Sequence, residues 1–237
     1  MVDAAIGEAL AEAARHLGRD ESVAEKLATI VTTLSSTLPG FDEAGISTVD
    51  RHGRVETKAA TSQLVWDLDT LQYELGEGPC VDSLHAESIV KAPHVRHDQR
   101  WPRYVPRAVE LGLRSQLAVR LYVDEERTIG GLNIYSTTSD DIDPDAVWIA
   151  DVYAAQAAVV LGQARSLDEL GRALESRQLI GQAVGLLMAT YDLDEQGAFN
   201  FLARTSSHAN VKLREIARRL VADHAAGHGV TVRQPPA

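Results

Sequence analysis

Proline placement is the feature that most constrains how this chain of 237 residues can fold. After Pro144 no proline occurs until Pro235. Proline breaks helix interiors because it lacks an N–H group, yet it is favourable in a helix's first turn. Residues 145–189 can therefore form one continuous helix of about 45 residues, roughly 67 Å long.

A heptad pattern runs along this long helix. Large residues recur every seven positions and small residues lie between them. The large ones are Tyr153, Val160, Leu167 and Leu174, and the small ones are Ala157, Ala164 and Gly171. This spacing is typical of a coiled-coil seam with close helix contact. We expect a parallel homodimer through these residues; the alternative is a single amphipathic helix packed on a sheet of its own chain.

Residues 172–221 predict three short helices. In the first, Arg177, Gly181 and Gly185 follow one another at intervals of four, opposite a broad apolar arc. Each interior glycine costs a helix about 1 kcal/mol relative to alanine, so two on one face indicate a surface that something approaches closely. Close packing of another helix is the alternative interpretation.

The next two helices add most of the basic residues. The second helix is expected to begin at Asp194 and to be followed by a loop at residues 204–207. The residues it is expected to bury are Ala198, Phe199, Phe201 and Leu202. Asn210 is a plausible N-cap for the third helix. The outward residues of that helix are Lys212, Arg214, Arg218 and Arg219. Such an arc favours nucleic acid, although a solvated helix carries such charges too.

The run SRQLIGQAVGLLM, followed by AFNFLARTSSHANVKLREIA, closely resembles the ANTAR domain, a three-helix RNA-binding module of bacterial transcription antiterminators. The resemblance implies binding to paired RNA hairpins in nascent transcripts, with one hairpin on each domain of a dimer. An antiterminator structure would be favoured over a terminator. Carried over by position, the RNA-facing residues are Arg177, Gln178, Gln182, Ala183, Gly185, Arg204, Ser206, Asn210, Lys212 and Arg214.

The charge distribution fits an RNA contact confined to the C-terminal end. Of the 23 basic and 34 acidic residues in the chain, residues 171–237 carry eight basic and six acidic, which leaves 15 against 28 before them. The acidic part should repel nucleic acid. The pI near 5.1 also argues against a chromatin-like role.

The first 150 residues predict a mixed α and β structure. A helix within residues 1–20 and another at 21–38 precede strand patterns at 44–49, 55–60, 116–123 and 128–135. Helices at 63–73 and 104–111, a turn at 75–80 and a short strand at 88–91 lie between the two pairs. This order indicates an antiparallel sheet interrupted by a helical excursion.

The segments LGEGPCVDSL, RWPRYVPRAVELGLRSQLAVRL and IGGLNIYS resemble the GAF family over roughly residues 20–160. The resemblance implies a five- or six-stranded antiparallel sheet, which often holds a small ligand in a cavity on one face. The possible pocket residues are Trp66, Tyr73, Cys80, Trp101 and Tyr104, most of which equally fit plain core. The fold class is then α+β: a GAF domain with an antiparallel sheet flanked by helices, a long coiled-coil helix and a C-terminal three-helix ANTAR bundle.

Enzyme signatures are missing from the sequence. Cys80 is the single cysteine, which excludes an internal disulfide and a multi-cysteine zinc site. Its neighbours supply no base or cation to lower the thiol pKa, so a buried inert cysteine is expected. No GxSxG, phosphate loop or dinucleotide fingerprint occurs. We expect no catalytic residues, no cofactor and no metal site.

These patterns predict a homodimeric, RNA-binding transcription antitermination regulator, gated by a signal or an unknown small molecule at the GAF domain. The expected domains are a GAF sensor with N-terminal helices at 1–150, a coiled-coil linker at 151–171, an ANTAR domain at 172–226 and a disordered tail at 227–237. With no membrane-length apolar run and no signal peptide, the expected location is the cytoplasm. The alternative is a GAF small-molecule sensor whose C-terminal helices bind a protein partner.

Overall fold

The computed structural model describes residues 21–122 and 127–227. Contacts within it divide the chain into an N-terminal unit that ends at Ala164 and a C-terminal unit that begins at Arg165. The helix expected within residues 1–20, most of the charged loop at 124–127 and the tail beyond Gly227 lie outside the described residues.

The N-terminal unit alternates helices and strands in the predicted order. Its elements are α1 (Val23–Thr37), β1 (Glu43–Val49), β2 (Val55–Ala60), α2 (Gln63–Leu75), α3 (Pro79–His85), β3 (Ile89–Ala92), a 3₁₀ turn (Val95–His97), α4 (Tyr104–Glu110), β4 (Ser115–Tyr122), β5 (Thr128–Ser136) and the start of α5 (Pro144–Tyr191). Helix α3 corrects the sequence analysis, which took residues 75–80 as a turn and missed the helix after it. Glycine at its N-cap, with φ of 131°, and proline at its first position begin it.

The five described strands form one antiparallel sheet in the order β2-β1-β5-β4-β3. Gly130 on β5 lies against the neighbouring strand so closely that an added Cβ would be 1.9 Å from the carbonyl oxygen of Ser47 on β1. Only glycine permits this approach, so the central strand pairing depends on it.

The two faces of the sheet carry different layers. One face packs with α1 and the first part of α5 in a cluster that includes Leu34, Ile46, Leu132 and Ile134. The other face is covered by α2, α3 and α4, with Leu68, Trp101 and Tyr104 in its apolar part. This second face also holds the buried polar side chains described below.

Helix α1 begins with a capping box. The Ser22 hydroxyl accepts from the Glu25 amide at 3.3 Å, and the Glu25 carboxylate accepts from the Ser22 amide at 2.8 Å. Two otherwise unpaired backbone donors are thereby satisfied. The cap fixes the start of the helix whose Leu27, Val31 and Leu34 enter the core.

Helix α5 is continuous from Pro144 to Tyr191, as the absence of proline predicts. Tyr153 and Val160 are buried in the core of the N-terminal unit, beside Ala157. This corrects the expected dimer seam, because side chains committed to their own core cannot form one. It also places residues 151–164, expected as linker, within the N-terminal unit.

The C-terminal unit combines the end of α5 with α6 (Glu195–Ala209) and α7 (Leu213–Ala225). Its buried residues are Ala183, Val184, Leu187, Ala198, Leu202, Ala217 and Leu220. The predicted start at Asp194 is confirmed, since its carboxylate accepts from the Gly197 amide at 2.7 Å. Phe199, expected to be buried, is 41% exposed because it lies away from the Ala198 and Leu202 face.

Among the described residues, α5 is the one helix long and apolar enough to cross a membrane by composition. Its apolar residues in the N-terminal unit include Ala150, Ala154 and Ala157, all buried in that unit's core. A core helix satisfies the same criterion, so this observation is weak evidence for a span.

Two glutamate substitutions, seven positions apart on α5, should differ in their effect on the stability of the N-terminal unit. Val160 is 6% exposed and Leu167 is 71% exposed. Val160→Glu should lower the free energy of unfolding of the N-terminal unit by at least about 2 kcal/mol, because it buries a carboxylate without a partner. Leu167→Glu, which lies outside that core, should change it by less than about 0.5 kcal/mol when the variants are compared as monomers. Urea unfolding followed by tryptophan fluorescence measures both, and equal stabilities would contradict the packing of α5.

Candidate functional site

The five residues predicted for a pocket in the N-terminal unit do not form one cluster. Cys80, Trp101 and Tyr104 are buried and Tyr73 is half-buried. Trp66 is 39% exposed, since it lies on the side of α2 opposite the buried Val65, Leu68 and Asp69 face. Its assignment to an interior pocket is therefore corrected.

Trp101 and Tyr104 have specific polar partners. The Trp101 indole Nε1 donates to Asp82 at 2.9 Å, and the Arg100 guanidinium lies 4.1 Å from the centre of its ring. The Tyr104 hydroxyl donates to Gln116 Oε1 at 2.7 Å. Both aromatic side chains are therefore fixed, which is typical of core residues with one polar end.

Asp69 is the centre of a buried polar cluster that the sequence analysis missed. Its carboxylate accepts from Thr57 Oγ1 at 2.6 Å, from Asn133 Nδ2 at 2.8 Å and from the Tyr135 hydroxyl. The Tyr73 hydroxyl lies 3.2 Å from Thr57 Oγ1 and hydrogen-bonds with it. Burial raises the pKa of Asp69, and these hydrogen bonds oppose the rise. Burying an ionised carboxylate without a cation costs several kcal/mol, so this cluster is energetically demanding.

Gln72, one turn after Asp69 on α2, connects the cluster to the rest of the face. Its Nε2 donates to the Tyr135 hydroxyl at 3.1 Å. Its Oε1 accepts from the Cys80 amide at 2.9 Å and from Gln116 Nε2 at 3.2 Å. Helices α2 and α3 are thus joined to strands β4 and β5 by side-chain hydrogen bonds. The sequence signal was present in β5, where period-two alternation places Asn133 and Tyr135 on one face.

Cys80 is an inert thiol in this environment. Its Sγ is 3.9 Å from the Ser47 hydroxyl and it is fully buried. Burial raises the thiol pKa to about 12. The thiolate needed for nucleophilic or redox chemistry is therefore disfavoured, as the sequence indicated. The described residues hold no group of three His, Cys, Asp or Glu side chains suited to a metal ion.

The C-terminal unit brings most of the predicted RNA-facing residues to its surface. Arg177, Gln178, Gln182 and Gly185 are exposed on α5. Ala183 is fully buried against the unit's own core, so its assignment as an RNA-facing residue is corrected. It shares a face with Leu187, one turn further along the helix.

The junction between α6 and α7 differs from the prediction. Residues 204–207 belong to helix α6, and Asn210 is its left-handed C-cap, with φ of 51°. Asn210 is therefore not the N-cap of α7; Lys212 occupies that position and makes no side-chain cap. The Ser206 hydroxyl donates to the Val211 carbonyl at 2.6 Å, which closes the turn between the helices. Arg204, Asn210, Lys212 and Arg214 are exposed.

The arginine and lysine side chains of this unit that lie within residues 165–227 fall into two groups. Arg165, Arg172, Arg218 and Arg219 pair with Glu169, Asp168 or Glu215. Within residues 165–227, Arg177, Arg204, Lys212 and Arg214 form no ion pair or side-chain hydrogen bond. These four side chains, which we call the unpaired cations, are all among the predicted RNA-facing residues.

The glycines of α5 face open space within the chain. A Cβ added at Gly181 or at Gly185 would meet no atom within 4 Å. Close packing of another helix of the same chain therefore does not explain them. We use the name open glycine face for Gly181 and Gly185 together with Arg177 on the same stripe.

Alanine substitutions at the two glycines should stabilise the C-terminal unit. Gly181→Ala and Gly185→Ala should each raise its free energy of unfolding by about 0.5–1 kcal/mol, because glycine costs helix entropy and the added methyl meets nothing. Gly197→Ala is the control and should destabilise, since its Cβ would be 2.8 Å from the capping Asp194 carboxylate. Thermal unfolding followed by circular dichroism measures all three. Destabilisation by the first two would reveal a neighbour packed on the open glycine face.

Comparisons with known proteins match both units. The ANTAR domain model matches residues 168–221, and a GAF domain model matches residues 20–162. A comparison with curated proteins gives no match.

Solved structures resemble the N-terminal unit in fold. The GAF domain of an Acinetobacter phosphoenolpyruvate-protein phosphotransferase is 16% identical with a TM-score of 0.53, covering 68% of this chain and 96% of that one. The corresponding Coxiella burnetii domain is 17% identical with a TM-score of 0.53, covering 68% and 95%. The A. aeolicus nlh2 GAF domain in an inactive state is 13% identical with a TM-score of 0.52, covering 69% and 99%.

Such low identities show the fold alone, whereas the two domain models, matched in order along the chain, show the family. Both matched domains are regulatory: GAF domains sense signals, and ANTAR domains belong to RNA-binding antitermination regulators. The chain therefore belongs to the GAF-ANTAR family, with a GAF domain followed by a C-terminal ANTAR domain.

Proposed function

We propose that this protein binds paired RNA hairpins in nascent transcripts through the C-terminal unit and thereby promotes antitermination. The observation that carries the proposal is the set of unpaired cations, which are exposed on the same unit as the open glycine face, on a chain whose formal net charge is −11. Cations that a protein leaves without internal partners are available to phosphate. The acidic remainder of the chain disfavours nonspecific binding of nucleic acid.

The start of α7 is suited to phosphate contact. Lys212 is its N-cap without a side-chain cap, and Arg214 follows in the first turn. Helix N-termini present unpaired N–H groups and the positive end of the helix dipole. Phosphate groups bind such termini readily, and two adjacent cations strengthen the attraction. We assign this terminus to the RNA backbone.

The open glycine face is suited to bases. Gln178 and Gln182 supply amide donors and acceptors on α5, beside Gly185, where no side chain obstructs approach. Single-stranded loops expose base edges that rigid duplexes hide. The amides are therefore assigned to loop bases, with Arg177 and Arg204 holding flanking phosphates. Asn210 is exposed at the α6–α7 turn and can add an amide contact.

A homodimer would present two such surfaces to tandem hairpins. The dimer seam that we propose uses Leu167, Leu170 and Leu174, which are 71%, 58% and 60% exposed and have the three-four spacing of a coiled coil. It replaces the buried Tyr153 and Val160. Linking two sites raises the effective concentration for the second hairpin, so two linked hairpins should bind more tightly than one.

The GAF domain is assigned a gating role in this proposal. A ligand or partner that binds one conformation of the protein more tightly than another would increase the population of that conformation. The size of the increase is limited by the difference between the two affinities. Catalysis is not proposed, since the sequence carries no enzyme signature and the single cysteine, Cys80, is a buried thiol. A transcript-binding regulator of this kind would act in the cytoplasm.

Alanine substitutions at the unpaired cations should weaken hairpin binding and reduce its salt dependence. Removing one cation from the RNA backbone should take about 0.7–0.9 from the slope of log affinity against log salt, because one phosphate then keeps its counterions. Arg177→Ala, Arg204→Ala, Lys212→Ala and Arg214→Ala test this in gel shifts at two salt concentrations. Arg218→Ala and Arg219→Ala are matched controls, because both guanidinium groups already pair with Glu215. A smaller effect at the four unpaired positions than at the controls would refute the assigned surface.

The loop contact has its own test in Gly185→Leu. Its Cβ would meet no atom of the fold within 4 Å, and its branched side chain would cover the open glycine face. Loop-specific binding should disappear while the electrostatic attraction to RNA persists. If the variant bound tandem hairpins as well as the parent chain, the glycine face would not be part of the RNA site.

The dimer is tested by placing charge in the proposed seam. Leu167→Glu combined with Leu170→Glu should shift the mass measured by light scattering from dimer to monomer, because like charges repel across a coiled-coil contact. The double variant should also lose the preference for tandem over single hairpins. If the parent chain is itself a monomer, the proposed seam is wrong. Hairpin binding by a single domain would then still be tested by the substitutions described above.

A further inference from the structure

We propose that Asp69 is held as a neutral carboxylic acid in the folded protein, and that loss of its proton loosens α2 from the sheet. The inference concerns the GAF domain alone and stands apart from RNA binding. Its basis is a fully buried carboxyl that, in the described part of the chain, has no cation bonded to it, and whose amide partner Asn133 has a buried Oδ1 without a hydrogen bond.

Asp69 joins three elements of the N-terminal unit. It lies on α2 and bonds to Thr57 on β2 and to Asn133 and Tyr135 on β5. An added Cβ at Gly45 on β1 would be 3.4 Å from its Oδ2, so the carboxyl also lies close to that strand's backbone. No water-accessible surface remains at this residue. The protonation state of this one carboxyl therefore affects the hydrogen bonds that hold α2 against the sheet.

The titratable groups that face Asp69 are all neutral acids. They are Tyr73 on α2, Cys80 on α3, Tyr104 on α4 and Tyr135 on β5, and burial is the first cause that raises the pKa of each. Over residues 21–122 and 127–227, no lysine, arginine or histidine hydrogen-bonds or ion-pairs with Asp69. If Asp69 were ionised, hydrogen bonds alone would have to compensate the cost of removing its charge from water.

The amide of Asn133 fits a protonated partner. Its Nδ2 donates to Asp69, while its fully buried Oδ1 has no hydrogen-bond partner. Turning the amide by about 180° would present Oδ1 to a proton on Asp69, so that the acid donates and the amide oxygen accepts. The two amide orientations fill the same space, so the neutral acid needs no change in backbone.

A proton at this position makes the stability of the GAF domain depend on pH with a defined sign. In the unfolded chain an aspartic acid loses its proton near a pH of about 3.9. Because burial raises the pKa of Asp69 in the fold, the folded state holds the proton over the window above that pH. The stabilising contribution is complete below the unfolded pKa and is lost as pH rises through the folded pKa. A rise in pH through the folded pKa of Asp69 should then weaken the attachment of α2, which covers one face of the sheet.

The test compares the parent chain with Asp69→Asn over a pH series. All three tryptophans, Trp66, Trp101 and Trp148, lie in the N-terminal unit, so their fluorescence reports its urea unfolding in the full chain. Relative to the Asn variant, the unfolding constant of the parent should increase by up to about tenfold per pH unit above about pH 4, until the folded pKa is passed. A parent that keeps a constant ratio to the variant, or that gains stability with rising pH, would overturn the proposal.

Asp98→Asn is the matched control. Asp98 pairs with Arg100 and its pKa is lowered, so its contribution to stability should change with pH in the opposite direction. If Asp69→Asn does not fold, infrared spectra of the parent chain labelled with ¹³C-aspartate decide instead. A protonated carboxyl band that shifts with the label at neutral pH supports the neutral acid, and carboxylate bands alone contradict it.

Discussion

One continuous helix contributes to both hydrophobic cores of this protein. Helix α5 buries Tyr153, Ala157 and Val160 in the N-terminal unit and Ala183 and Leu187 in the C-terminal unit. Its continuity requires an uninterrupted backbone hydrogen-bond ladder, which the absence of proline permits. Because each core buries some of the apolar side chains of α5, only the helix faces that remain exposed are available to partners.

The side chains that are not buried in the cores determine the chemistry of the protein surface. In the C-terminal unit the exposed part of α5 carries leucines first and then glycines, glutamines and an arginine. We propose that the leucines contact a second copy of the chain and that the open glycine face contacts RNA. Ion pairing within α7 then divides its basic side chains into two groups. Glu215 pairs with Arg218 and Arg219, whereas Lys212 and Arg214 stay unpaired. A basic arc that looked uniform in sequence is therefore divided by one carboxylate.

Much of the fold could be predicted from local patterns. Alternation identified β4 and β5, and the capping aspartate identified the start of α6, because these signals depend on neighbours in sequence. The dimer seam failed at Tyr153 and Val160, since a heptad repeat does not say whether a helix packs on a partner or on its own sheet. Ala183 failed similarly: carrying a motif over by position ignores which side of the helix the core takes.

The buried polar cluster shows a further limit of sequence reasoning. Asp69, Thr57 and Asn133 are far apart in the chain and meet only because the sheet and α2 bring them together. No local pattern marks such a cluster, although a polar residue on the inner face of β5 was a usable signal. By contrast, aromatic residues such as Trp66 attract attention in sequence even where they face solvent.

Hairpin RNA should contact the unpaired cations, and arginine footprinting tests this central claim most directly. The full chain would be treated with an arginine-specific dicarbonyl reagent with and without a tandem hairpin RNA, and modified sites would be read by mass spectrometry. We expect RNA to protect Arg177, Arg204 and Arg214 while Arg218 and Arg219 keep their reactivity. Protection of the Glu215-paired arginines alone, or of arginines only in the GAF domain, would contradict the claim.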